Sequence, residues 1–102
     1  MSSWNEVVAL ENIPVLGSRV FRTADQDIAI FRTRDDSVFA LHNSCPHKGG
    51  VLSEGIVHGH KVTCPLHNWV INLEDGEAQG ADEGHAACFE TKVEAGIVFI
   101  NL

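Results

Sequence analysis

Two short boxes in this sequence carry residue types that bind metals: Cys45-Pro46-His47, of the form C-x-H, and Cys64-Pro65-Leu66-His67, of the form C-x-x-H. Each offers one thiolate and one imidazole. An ordinary zinc finger takes two Cys from one turn and two His from another, whereas here a soft and a borderline ligand are mixed within each loop. Two such loops side by side pool two sulfur and two nitrogen donors. That set could close a zinc site, or hold a 2Fe-2S cluster in which both Cys bind one iron and both His the other. The chain has 3 Cys in all, an odd number that cannot pair fully within one chain, and a small secreted disulfide scaffold would carry four or more. The remaining one, Cys88, lies between Ala87 and Phe89 and is expected to be a small buried hydrophobe rather than a ligand.

Ligand loops of this kind need a frame to hold them. The apolar pattern has period two, which predicts short strands at Val7-Leu10, Val20-Arg22, Ile28-Thr33, Val38-His42, Lys61-Thr63, Trp69-Asn72, Ala87-Val93 and Ile97-Asn101. Turn residues fall between them at Arg34-Asp35-Asp36-Ser37, His58-Gly59-His60, Glu74-Asp75-Gly76-Glu77 and Glu94-Ala95-Gly96. No segment has the apolar spacing of a helix. The expectation is an all-β fold, a small antiparallel sandwich or barrel, with both boxes on loops. Pro46 and Pro65 stiffen those loops, and Gly49 and Gly50 allow the first to fold back with little bulk.

With 16 residues between the boxes, C-x-H followed by C-x-x-H resembles the signature of the Rieske iron-sulfur family, all four ligand positions being filled. The resemblance runs from Trp4 to the closing Val98-Phe99-Ile100. It implies a single Rieske-type domain over residues 1–102, with two cluster-binding loops and a 2Fe-2S cluster held by Cys45, His47, Cys64 and His67. It implies a one-electron carrier with no substrate-converting site of its own. A Rieske oxygenase subunit would need a further large domain for a mononuclear iron.

Departures from the wider family are informative. High-potential members add a Cys to each box and place Ser and Tyr hydroxyls against the cluster; here those box positions are Gly50 and Leu66, and there is no Tyr. A reduction potential near the low end of the Rieske span is expected. The run Cys64-Pro65-Leu66-His67-Asn68-Trp69, continued by Asn72-Leu73-Glu74-Asp75-Gly76-Glu77-Ala78 and a Gly80-Ala81-Asp82-Glu83-Gly84 loop, resembles the small subunit of assimilatory NAD(P)H nitrite reductase. That resemblance implies a large partner subunit carrying FAD, a 4Fe-4S cluster and siroheme, and a role in reducing nitrite to ammonia. The alternative is a free Rieske ferredoxin serving an aromatic-ring dioxygenase. A structural zinc module is the third reading.

Composition narrows the field further. At 102 residues and 44% hydrophobic content, the chain can bury one core. Its 7 basic residues against 14 acids, net charge -7, argue against nucleic acid and suit a partner with a basic face. No apolar stretch approaches a membrane span, and the N-terminus lacks a basic patch followed by an apolar run, so a cytoplasmic protein is expected. His42, His58, His60 and His85 are expected to be surface residues, Trp69 to fill core, and Lys48 to be a solvated charge.

Overall fold

The computed structural model describes residues 4–23, 26–44, 51–65, 69–78 and 86–101. Among the described residues, ten strands form three antiparallel sheets. β1 (Trp4–Ala9), β10 (Ile97–Asn101) and β9 (Thr91–Glu94) make the first. β2 (Gly17–Arg22), β3 (Asp27–Arg32), β4 (Val38–His42) and the two-residue β8 (Cys88–Phe89) make the second. β5 (Ile56–His58), β6 (Lys61–Thr63) and β7 (Val70–Asn72) make the third, in the order β5-β6-β7. The all-β antiparallel expectation holds; the helical residues described are short 3₁₀ turns at Leu10–Asn12 and Leu52–Glu54. Among the described residues, no helix is long and apolar enough to cross a membrane.

The second sheet is the central layer. Its strand β3 carries an unbroken apolar run, and Ile28, Ala29, Ile30 and Phe31 are all fully buried, as in a strand covered on both faces. The side chains then divide by parity. Ile28 and Ile30 join Val38, Ala40, Val98 and Ile100 in one core, against the first sheet. Ala29 and Phe31 join Leu41, Leu52, Val57, Val62, Cys64 and Ile71 in the other, against the third sheet.

Four hairpin tips fall where turn residues predicted them. Asp36, Gly59 and Gly76 have positive φ in three, and Ala95 and Gly96 (φ 51° and 78°) close the β9–β10 hairpin in the left-handed pair that matches strand twist. Three differences from the sequence expectation have physical reasons. β5 was not anticipated, because three residues between Gly55 and Gly59 with one buried side chain, Val57, carry too little alternation to register. The stretch Ala87–Val93 is two strands: the chain changes sheet at Glu90, whose carbonyl accepts from the Asn101 N–H at 3.0 Å. Cys88 is exposed, not buried, because β8, among the described residues, is an edge strand beside β4.

Candidate metal centre

Of the four expected ligands, Cys64 lies in the described structure; Cys45, His47 and His67, with Lys48, Gly49, Gly50, His85 and the Gly80–Gly84 loop, lie outside it. Cys64 follows β6 directly, is fully buried and is not in a disulfide. Its N–H donates to the Trp69 carbonyl at 2.6 Å, closing the base of the loop between β6 and β7 that carries the second box. Trp69 packs partly buried against the same core, as a core-filling residue should.

The first box leaves the end of β4 and returns at Leu52. Its base is closed by side chain rather than backbone: Asn43 Oδ1 accepts from the Ser53 N–H at 2.8 Å, and Asn43 Nδ2 donates to Ser53 Oγ at 3.1 Å. The Ser53 carbonyl accepts in turn from the Ser18 hydroxyl on β2, at 2.7 Å. Leu52 is fully buried in the core that contains Cys64. Just beyond it, Gly55 runs so close to β6 that an added Cβ would stand 2.3 Å from the Thr63 carbonyl, one residue before Cys64. The returning arm of the first box is thus seated on the strand that presents the second.

A third loop enters the same place. The Ala86 N–H donates to the Gly76 carbonyl at 2.8 Å, Gly76 holds φ +75°, and a Cβ on it would meet the Ala86 carbonyl at 2.0 Å. Ala86 is buried in the Cys64 core. The stems of all three loops thus contribute to one core, with Leu52, Cys64 and Ala86 buried in it and Trp69 packed against it. Asn43, Ser53 and Gly55, which shape those stems, were not singled out by the sequence; an Asn two positions before a Cys and a Gly before a short apolar triplet give no ligand-type signal.

The donor chemistry fits a 2Fe-2S cluster. A thiol already desolvated at the end of a strand, on a loop closed by its own backbone, supplies a sulfur ligand with little ordering cost. Among the described residues no group of three or more His, Cys, Asp or Glu could hold a metal ion, three of the four expected ligands lying elsewhere.

Among the other histidines, His58 is exposed as expected, while His42 and His60 depart from a plain surface role. His42 is half-buried, with Nδ1 3.0 Å from Gln26 Oε1. His60 stands between two carboxylates, Nδ1 2.8 Å from Glu74 Oε2 and Nε2 3.2 Å from Asp35 Oδ2, at the end of the third sheet away from Cys64. The Glu74 and Asp35 bonds hold its imidazole above the usual pKa, against partial desolvation. The Thr33 hydroxyl and then His60 hold the Asp35 carboxyl far below the carboxylate range.

Comparison with known proteins supports this geometry. The Rieske-like 2Fe-2S domain family matches residues 3–101. The anthranilate 1,2-dioxygenase ferredoxin subunit of Burkholderia cepacia is 32% identical over 76 residues, covering 74% of this chain and 69% of that protein. The carnitine monooxygenase oxygenase subunit of Acinetobacter pittii is 35% identical over 88 residues, covering 76% of this chain, but the chain spans only 24% of that protein's length. Among solved structures, the Escherichia coli protein NirD has a TM-score of 0.87 at 28% identity, covering 100% of this chain and 98% of that one. A Mycobacterium tuberculosis protein described as an NADH-dependent nitrite reductase small subunit shares the fold, with a TM-score of 0.90 at 24% identity over 100% of this chain and 96% of that one. The family match over nearly every residue decides the assignment: this chain belongs to the Rieske-like 2Fe-2S domain family, with a Rieske 2Fe-2S cluster.

Proposed function

We propose that this chain is the small subunit of an assimilatory NAD(P)H nitrite reductase, a single Rieske domain over residues 1–102 that docks on a large flavin- and siroheme-bearing subunit in the cytoplasm. Cys45 and Cys64 would supply the thiolate ligands of the cluster, and His47 and His67 the imidazole ligands. When bound, the cluster supplies one-electron oxidation and reduction. The chain's own part is positional. Cys64 and Trp69 close one ligand loop, Asn43 and Ser53 close the other, and Leu52 and Ala86 are buried in the core that holds Cys64.

The observation that carries this reading is the run from Cys64 through Ala78, which resembles the nitrite reductase small-subunit family across the second box and on to the stem of the third loop. The likeness to NirD along the whole of both chains supports it. A second reading, the ferredoxin of an aromatic-ring dioxygenase, has its own support in the 32% identity to the anthranilate dioxygenase ferredoxin subunit.

The test is a deletion strain together with reconstitution. Loss of growth on nitrite as sole nitrogen source, restored by this chain, is the expected result. Purified alone, the protein should neither oxidise NAD(P)H nor reduce nitrite; added to the large subunit, it should restore six-electron reduction to ammonia. Normal growth on nitrite with lost oxidation of an aromatic compound would transfer the assignment to the dioxygenase ferredoxin.

A further inference from the structure

His60 joins three turns that belong to two different layers. It sits in the β5–β6 turn of the third sheet, Glu74 follows β7 in the same sheet, and Asp35 is in the β3–β4 turn of the central sheet. A neutral imidazole has one N–H, so a ring with a carboxylate oxygen at 2.8 Å from one nitrogen and 3.2 Å from the other satisfies both contacts only as imidazolium, donating twice. Asp35 is itself fixed in place by the Thr33 hydroxyl, Thr33 being 1% exposed. The Phe39 ring of β4 packs beside the imidazole, centroids 5.1 Å apart.

The two bonds do different work. Within the third sheet the turns are already tied by backbone, the Leu73 N–H donating to the His60 carbonyl at 2.9 Å. The bond to Asp35 crosses between layers. Four residues further along the chain from His60 stands Cys64, so a tether at one end of β6 acts on the strand whose other end presents the ligand.

We propose that His60 is a pH-sensitive clasp, fastening the end of the third sheet opposite the ligand loops to the central sheet while it is protonated and releasing that end when it loses its second proton.

The charges around the ring bear on its proton from every side. Asp35 and Arg34 face the same hollow from the β3–β4 turn. Asp36, on that turn, is committed to Arg32 at 2.7 Å. Beyond β7, Glu74 bonds the ring, while Asp75 turns to its own backbone and accepts from the Glu77 N–H at 2.9 Å. On its own hairpin, Lys61 is exposed and His58 is engaged with the Thr63 hydroxyl at 2.7 Å. The two bonding carboxylates favour the charged ring, and Arg34 opposes it.

The pH window follows from the sign of the shifts. His60 is raised in the folded state, so its contribution is complete below about pH 6.5, where the unfolded residue also carries the proton, and is lost as pH rises through the folded value. Asp35 is lowered, so its contribution is complete above about pH 4 and is lost in acid.

The test uses the cluster-loaded protein and does not involve the partner, so its outcome is separate from that of the nitrite reductase assignment. The His60 ring is followed by NMR from pH 5 to 10 in the wild type, Asp35→Asn and Glu74→Gln, and thermal unfolding is compared between wild type and His60→Gln over the same range. His60 should titrate above 6.5 and move down in each carboxylate variant. The difference in Tm between wild type and His60→Gln should shrink at least twofold between pH 6 and pH 10; contributions from titrating groups distant from His60 cancel in that difference. A midpoint at or below 6.5, or a Tm difference that stays constant across the range, overturns the clasp. If His60→Gln does not fold, the titration midpoint in Asp35→Asn decides by itself.

Discussion

Cys64 and Cys88 show how one residue type takes opposite roles from its setting. Cys64 is fully buried in the core at the end of β6, while Cys88 is exposed on an edge strand opposite Leu41. Replacing a thiolate leaves an iron with an open, hydrolysable position, so Cys64→Ser and His67→Ala should lose the red-brown colour, and Cys88→Ser should keep it. Iron and acid-labile sulfide assays on the purified variants check this; a Cys64→Ser protein with full cluster content would remove Cys64 from the ligand set. The hydroxyl nearest Cys64 in sequence, Thr63, already bonds His58 Nε2 at 2.7 Å, and the chain has no Tyr. With few hydroxyls to offset the charge added on reduction, the midpoint potential should lie near the low end of the Rieske span, at roughly -150 mV. Protein-film voltammetry measures it, and a value of about +200 mV at neutral pH would contradict the argument.

At the scale of elements, the critical contact is between the returning arm of the first box and β6. Gly55 lies there with space for no side chain: a Cβ would meet the Thr63 carbonyl at 2.3 Å and Val62 Cγ2 at 2.9 Å. Both neighbours are fixed, one by the β5–β6 ladder and one by the core. Gly55→Ala should therefore push the arm off the strand at a cost of about 1–3 kcal/mol, as overpacking does elsewhere. For a domain of this size that is a fall in Tm of roughly 4–8 °C per kcal/mol, accompanied by faster loss of visible absorbance on dilution. Gly59 is the matched control. It has positive φ but nothing within 4 Å of an added Cβ, and Asn tolerates that conformation, so Gly59→Asn should change stability by no more than about 0.5 kcal/mol. Equal effects from the two substitutions would mean that the close approach at Gly55 does not seat the first box.

For the whole molecule, charge is distributed unevenly along the chain. Between Lys61 and Lys92 stand 6 acids, Glu74, Asp75, Glu77, Asp82, Glu83 and Glu90, and no Lys or Arg. Glu74, Asp75 and Glu77 lie in the turn that stems the third loop, whose other arm enters the Cys64 core at Ala86. An acidic turn of this kind steers a basic partner over distances of about a Debye length, roughly 10 Å at 0.1 M salt. Raising ionic strength from about 0.05 M to 0.5 M should weaken binding to the proposed large reductase subunit by roughly tenfold, mostly through slower association. Asp75→Lys and Glu77→Lys should do the same at low salt. Affinity that is flat with salt, measured by biolayer interferometry, would show that apolar contact rather than charge governs docking.

The sequence by itself determined the chemistry and the alternation. Two mixed boxes name a sulfur and nitrogen donor set, because ligand identity is a property of residue type. Period-two apolar runs name the strands, because a pleat must present every second side chain to the core; β4, β6 and β10 coincide with their sequence bounds. Glycine-bearing turns were equally legible, since positive φ is a local demand. Only the tertiary structure decided which strand lies in the middle, that Ala29 and Phe31 serve one core while Ile28 and Ile30 serve the other, and that the chain changes sheets at Glu90. It also placed Asp35, His60 and Glu74 together from positions 25 and 14 residues apart. None of these has a local signature. Each depends on which surfaces meet when three sheets stack, and a side chain's exposure, its partners and the proton it holds are set by that meeting rather than by its neighbours in the chain.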